Sequence, residues 1–301
     1  DNPIEQIVFS NGTVWNLDMI QANTITGTAN AMTGTAGNDT FVVDNAGDTI
    51  TEGLNQGIDK VMTSVNYWLP TNVENMTATG YLNLSLTGNS LGNVIMGNIG
   101  NNVLDGGGMT NGYNDDGTDT LNGGAGDDTY YVTPSMDDVV IELANEGMDT
   151  VIANFSYTLA DNVENLTIRS NSNSPLIATG NVLDNVIIGR SNIVAGRDQY
   201  GNFVGDSIDG GAGADYMSIA LGGTFYVDHV GDRIYAGGNI RVFSSIDYSL
   251  PEYAGSYPAI SDLTLIMDAG DISGTGNGGN NGITDNNGNN ILNGGGGNDA
   301  L

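Results

Sequence analysis

Along most of the chain an Asp or Asn is followed two positions later by an apolar side chain, and this unit returns every nine to eleven residues. Asp39/Phe41, Asp48/Ile50, Asp59/Val61, Asn93/Ile95, Asn102/Leu104, Asp119/Leu121, Asp128/Tyr130, Asp138/Val140 and Asp149/Val151 form the first part of the series. Asn185/Ile187, Asp206/Ile208, Asp215/Met217, Asp232/Ile234, Asn281/Ile283, Asn290/Leu292 and Asp299/Leu301 continue it. The beat fits neither a 3.6-residue period nor a heptad, and each Gly in a helix interior would cost about 1 kcal/mol. It predicts strands of three or four residues with one apolar side chain inward, separated by Gly/Asn/Asp turns. A strand that short buries too little alone, so successive units must stack into one continuous core, an all-β parallel solenoid. Two nine-residue units per coil give a rung of about 18 residues and about sixteen rungs in all.

A longer repeat of about 90 residues lies over this beat. Thr40-Phe41-Val42-Val43-Asp44 returns as Thr129-Tyr130-Tyr131-Val132 and as Thr224-Phe225-Tyr226-Val227-Asp228. Val73-Glu74-Asn75-Met76-Thr77 returns as Val163-Glu164-Asn165-Leu166-Thr167, and the stretch from Gly88 returns from Gly180. The chain divides on this basis into a flanking segment 1–24, a first solenoid repeat 25–122, a second 123–209 and a diverged third 210–301. The aromatics Phe155, Tyr67, Trp68, Tyr157 and Tyr248 recur in equivalent places and are expected to stack in the core. The Gly/Asn-rich stretch Gly274 to Asn298 keeps the nine-residue phase with Ile283 and Leu292, which favours stacked rungs over a flexible tail.

Charge narrows the chemistry. With 36 acidic against 6 basic residues the net charge is −30, which repels nucleic acid and anionic membrane surfaces and makes cations the natural partner. There is no cysteine and a single histidine, His229, so disulfides and Cys/His transition-metal sites are excluded. His229 lies in Val227-Asp228-His229-Val230, where a catalytic base would need a nucleophile or carboxylate partner that the pattern does not identify, and it reads as a surface or turn residue. No apolar run approaches the roughly 18 residues of a membrane span. The Asp1 start shows no signal-peptide pattern, so the chain is expected to be processed or cut from something longer.

Two stretches carry the strongest short signal: Gly123-Gly124-Ala125-Gly126-Asp127-Asp128-Thr129-Tyr130-Tyr131 and Gly210-Gly211-Ala212-Gly213-Ala214-Asp215-Tyr216-Met217-Ser218. Both fit the nonapeptide G-G-x-G-x-D-x-U-x, with U large and apolar. Gly34 to Val42 is a near match, and Gly294 to Leu301 supplies eight of the nine positions. Glycines let the backbone turn and aim carbonyl oxygens at one spot while the Asp adds a carboxylate, a hard-oxygen set suited to Ca2+. An ion between two stacked turns gathers ligands from both, so each site needs its neighbours.

These residues, with the intervening Asp-x-apolar stretches and the V-E-N-L-T signature, resemble the repeats-in-toxin, or haemolysin-type, calcium-binding proteins over nearly the whole chain. The opening Ile4 to Phe9 with Asn11 to Trp15 looks like the strand-turn-strand that flanks such repeats. The resemblance implies a right-handed parallel β-roll or β-helix with Ca2+ between stacked glycine-rich turns, calcium-dependent folding and export by type I secretion. It implies Asp39, Asp128, Asp215 and Asp299 as Ca2+ ligands, with Asp119 and Asp206 in matching frames and carbonyls from Gly124, Gly126, Gly211 and Gly213. Asn93, Asn102, Asn185 and Asn290 depart from the Asp pattern, which implies rungs that hold no ion, and insertions at Gly108 to Tyr113 and Arg197 to Tyr200 are expected to loop out.

The expected function is that of a non-enzymatic, calcium-binding structural protein outside the cell, part of a surface layer, adhesin or filament. Self-assembly or continuation end to end is expected from an in-frame last repeat with no visible cap, since unpaired strand edges invite another chain. The alternative is a carrier or secretion module of a larger secreted enzyme or toxin. A sugar lyase is disfavoured because only Lys60, Arg169, Arg190, Arg197, Arg233 and Arg241 can meet an anionic intermediate, and they are scattered.

Overall fold

The computed structural model describes residues 27–107, 117–134, 138–170, 174–190, 205–252 and 262–301, and the backbone of four further short strands. Those four form two antiparallel pairs, Gln6–Val8 with Val14–Asn16 and Gly196–Arg197 with Phe203–Val204. The other strand pairings given for the described residues are parallel, and no helix occurs among them. The insertion at Gly108 to Tyr113 lies outside the described residues, as does most of that at Arg197 to Tyr200.

The strands wind into an all-β parallel solenoid of about 12 turns rather than sixteen. The difference comes from the connections. From Thr40 to its partner Lys60 the step is 20 residues, from Lys60 to Asn75 it is 15, and from Val94 to Thr120 it is 26. A uniform coil of two nonapeptides is therefore the exception, and longer bends use up chain without adding rungs.

The molecule comprises two compact units, residues 1–149 and 150–301. In the first, a six-stranded sheet aligns Phe41, Val61, Met76, Ile95, Leu121 and Val140 in register, all turned inward. A second run in that unit aligns Leu86, Leu104 and Tyr130. In the second unit Val151, Leu166, Ile187 and Met217 form one buried column, and Ala178, Ile208, Phe225, Val242, Leu263 and Ile283 another. Side chains of a strand alternate between faces, so at most of these positions the residue two after the Asp or Asn enters the core, while Ile234 and Leu292 are half-buried and Leu301 is exposed. Burying each large aliphatic residue of such a column contributes about 1.5–3 kcal/mol.

The V-E-N-L-T signature follows the same alternation. Val73 and Met76, like Val163 and Leu166, are completely buried, and the left-handed Asn72 and Asn162 at φ 67° and 65° turn the chain into them. The Gly/Asn-rich stretch forms rungs: Ser273–Thr275 pairs with Ile291–Asn293, and Gly282–Thr284 with Asp262–Leu265. One expectation fails. Trp68 is 66% exposed, because Leu69 takes the inward place next to it, and Tyr67, Tyr157 and Tyr248 are only half-buried. Phe155 and Tyr157 do meet edge to face at 5.7 Å.

Candidate metal centre

The bend before each inward apolar residue is built around its Asp or Asn. Oδ1 of Asn93 accepts the N–H of Asn89 at 2.7 Å, while Nδ2 donates to the carbonyls of Val73 and Glu74 one turn back, both at 3.1 Å. Asn185 repeats this, accepting from Asn181 at 2.8 Å and donating to Val163 and Glu164 at 3.2 and 3.1 Å. The backbone N–H of each such residue then donates to the carboxylate of the next rung. Asn93 donates to Asp119 at 2.7 Å, Asn102 to Asp128 at 2.6 Å and Asn185 to Asp215 at 2.7 Å.

A carboxylate can copy only half of what the amide does, because it has acceptors and no hydrogens. Asp128 and Asp215 each satisfy Oδ1 in this way, but Oδ2 is buried with no hydrogen-bond partner. Desolvation by burial pushes the Asp128 carboxyl up to about 7, opposed by the Asn102 N–H and reinforced by Asp149. The Asp215 carboxyl is pushed up to about 6, again chiefly by burial and then by Asp232.

At two bends three acidic side chains converge. Asp39, Glu52 and Asp59 are all buried, and one oxygen from each lies within 4.8 Å of the others. Asp128, Glu142 and Asp149 form the same arrangement. At such distances each pair of charges repels by roughly 3–4 kcal/mol at an effective dielectric constant near 20, so the arrangement calls for a counter-charge. In the first triad the Asp39 N–H donates to Asp59 at 2.8 Å, and the Gly53 N–H donates to Glu52 Oε1 at 2.8 Å. Glu52 Oε2 and Asp59 Oδ2 have no hydrogen-bond partner, and burial raises the Glu52 carboxyl. In the second triad the Asp128 N–H donates to Asp149 at 2.8 Å, and the Tyr130 hydroxyl donates to Glu142 while accepting the Gly123 N–H at 2.7 Å. The donor set is oxygen alone, and orphaned oxygens aimed into it fit a hard divalent cation such as Ca2+ rather than a transition metal.

The remaining expected ligands have separate surroundings. Asp119 is buried between Asn93 and Asp138, whose Oδ1 takes the Asp119 N–H at 3.2 Å. Asp206 is held by a buried ion pair with Arg190, 2.8 Å from Nε to Oδ2, and also takes the Leu176 N–H at 2.9 Å. The Asp215 N–H donates to Asp232 at 3.1 Å, and half-buried Asp299 takes the Asn281 N–H at 2.9 Å. Gly124 and Gly126 adopt φ of 85° and 122°, and Gly211 and Gly213 78° and 131°, the left-handed turns the nonapeptide requires.

Glu52 and Glu142 are not in the nonapeptide frame, and the Asp-x-apolar beat passes over them. The signal that finds them is E-x-x-x-x-G-x-D, present at Glu52 to Asp59 and again at Glu142 to Asp149. In the third long repeat the corresponding positions are Gly223, Ala236 and Ile240, all buried and none acidic.

Fold and site together define a parallel β-solenoid whose bends enclose buried acidic triads. The chain is 46% identical over 72 residues to the endo-1,3-1,4-beta-glycanase ExsH of Rhizobium meliloti (strain 1021), a stretch covering 24% of this chain and 15% of that protein. The matched stretch is thus a small part of the relative's own length. No family model matches the chain, and no solved structure matches it.

Proposed function

We propose that this chain is a calcium-binding structural protein, part of an extracellular surface layer, adhesin or filament, whose solenoid folds on Ca2+ after secretion. The observation that carries this is the Asp39–Glu52–Asp59 triad, three buried carboxylates of which Glu52 and Asp59 each keep an orphaned oxygen while Asp39 takes the Thr35 N–H at 2.6 Å. Taking such groups out of water is unfavourable unless a cation accompanies them. A net charge of −30 adds self-repulsion that bound ions relieve. A ligand at ten times its dissociation constant stabilises by roughly 1.4 kcal/mol per site, so a few sites supply a large share of a domain's stability.

In this proposal the chain performs no catalysis. Two of its six basic residues are already engaged, Arg190 with Asp206 and Arg241 with Asp262 at 3.9 Å. No helix of the described residues is long and apolar enough to cross a membrane. The test is circular dichroism of the full chain titrated with Ca2+ from a chelated start. Cooperative gain of β signal supports the proposal; full β signal in chelator refutes it.

A second reading, a calcium-dependent carrier module within a larger enzyme, is favoured by the match to only 15% of a glycanase. Finding a catalytic domain in the same polypeptide would decide for it.

A further inference from the structure

We infer that the two acidic triads are not equivalent sites: Tyr130 is a built-in competitor for the cation at Asp128–Glu142–Asp149, and its absence leaves Asp39–Glu52–Asp59 the tighter site. The inference rests on the calcium reading above and goes further by ranking the sites and naming the residue that sets the rank.

The two bends share their acids and their glycine but differ at the inward aromatic. Tyr130 and Phe41 occupy the same place in the long repeat, and both are buried. In the second bend the Tyr130 hydroxyl bridges the Gly123 N–H and the Glu142 carboxylate. The space beside Gly123 is filled accordingly: an added Cβ would lie 2.4 Å from that hydroxyl and 2.1 Å from Asp128 Oδ2. In the first bend phenylalanine has no hydroxyl to offer. The Glu52 carboxylate itself occupies the space beside Gly34, 1.7 Å from the place of a Cβ, and the Gly34 N–H turns instead to the Thr51 carbonyl at 3.0 Å. Glu52 Oε2 and Asp59 Oδ2 are left without a hydrogen-bond partner while Glu52 is 7% and Asp59 1% exposed.

Orphaned oxygens face a cation at both bends, Glu52 Oε2 and Asp59 Oδ2 in the first and Glu142 Oε2 and Asp128 Oδ2 in the second. The difference lies in the other glutamate oxygen, which in the first takes the backbone N–H of Gly53. At the second a cation that takes both oxygens of Glu142 must displace the phenolic O–H from Oε1. A hydrogen bond to a charged acceptor is strong enough that its loss weakens binding roughly tenfold or more.

Isothermal titration of the full chain with CaCl2, beside E52Q, E142Q, Y130F and F41Y, tests this. Two classes of site at least about tenfold apart are expected, with E52Q deleting the tighter and E142Q the weaker. Y130F should tighten the weaker class and F41Y should weaken the tighter. Because Y130F leaves the Gly123 N–H without its acceptor, circular dichroism at saturating Ca2+ accompanies it, and F41Y provides the reciprocal measurement in a bend that has no such bridge. Equal affinities at the two triads, or a weaker class that Y130F loosens, would overturn the inference and leave the calcium reading standing. Absence of calcium heat in the wild-type chain would overturn both.

Discussion

The backbone N–H of Asn102 donates to Oδ1 of Asp128 across one turn of the solenoid, at 2.6 Å. Its counterpart bonds at Asn93 and Asn185 show what the carboxylate lacks: there the amide Nδ2 reaches back to carbonyls of the previous turn, a link no carboxylate can make. A cation between the carboxylate and those carbonyls restores the link electrostatically. Asn rungs are self-sufficient, whereas the rungs of Asp128 and Asp215, whose Oδ2 has no hydrogen-bond partner, are conditional.

Asp128→Asn should convert a conditional rung into a self-sufficient one. In chelator the variant is expected to be more stable than wild type by about 1–2 kcal/mol, since an unsatisfied buried acceptor is removed and a donor gained. With Ca2+ it should lose one binding site. Urea unfolding in chelator and in Ca2+ measures both effects.

The ion-free protein should lose stability as pH rises. The folded-state values of Asp128, about 7, and Asp215, about 6, stand above an ordinary carboxylate near 4. The fold thus holds more protons than the unfolded chain, so their stabilising contribution is complete below about pH 4 and is lost as pH climbs through 6 to 7. In chelator the urea midpoint should fall between about pH 5 and about pH 8, and saturating Ca2+ should reverse that order because proton and cation compete for the same oxygens. A flat midpoint in chelator would contradict the burial of these carboxyls.

Arg190→Met should strand Asp206, whose side chain is almost fully buried against the guanidinium. Breaking such a pair from one side destabilises by about 3–5 kcal/mol, whereas the double variant Arg190→Met with Asp206→Asn should recover much of the loss. Thermal melts of the two variants in Ca2+ give the comparison. If the single variant melts with wild type, Asp206 is not held by this pair.

Gly210→Ala tests crowding rather than backbone strain, since its φ is not in the left-handed region. The new Cβ would lie 2.1 Å from Asp215 Oδ2 and must push the carboxylate out of place. Calcium binding at that bend should fall, while Gly80→Ala, which meets no atom within 4 Å but does sit at φ 76°, should disturb folding alone. Calcium titration separates the two.

Leu166→Ala, in the middle of the column from Val151 to Ile187, should destabilise by about 2–5 kcal/mol in calcium-saturated protein. Urea denaturation with Ca2+ present measures it, and a loss below 1 kcal/mol would mean that the column is not packed as described.

The parallel solenoid was legible in the order of residues, because a rule with a span of two, an Asp or Asn and then an inward apolar side chain, is local, and alternation on a strand translates it directly into a core. The turn glycines Gly124, Gly126, Gly211 and Gly213 were legible for the same reason: their left-handed conformation is a property of a few neighbouring residues. What depended on winding was not. The number of turns follows from connections of 15 to 30 residues, whose path is set by what they pack on rather than by their own propensities. Glu52 and Glu142 join their triads only because a bend folds them back over an Asp thirteen or fourteen residues earlier, and Arg190 reaches Asp206 across a similar gap. Spacing alone ranks Asp39, Asp128 and Asp206 as alike. The tertiary structure sets them apart, surrounding the first with orphaned carboxylates, the second with a phenol-bridged triad and the third with a guanidinium, because the charge a buried carboxylate meets is decided by which turn lies next to it.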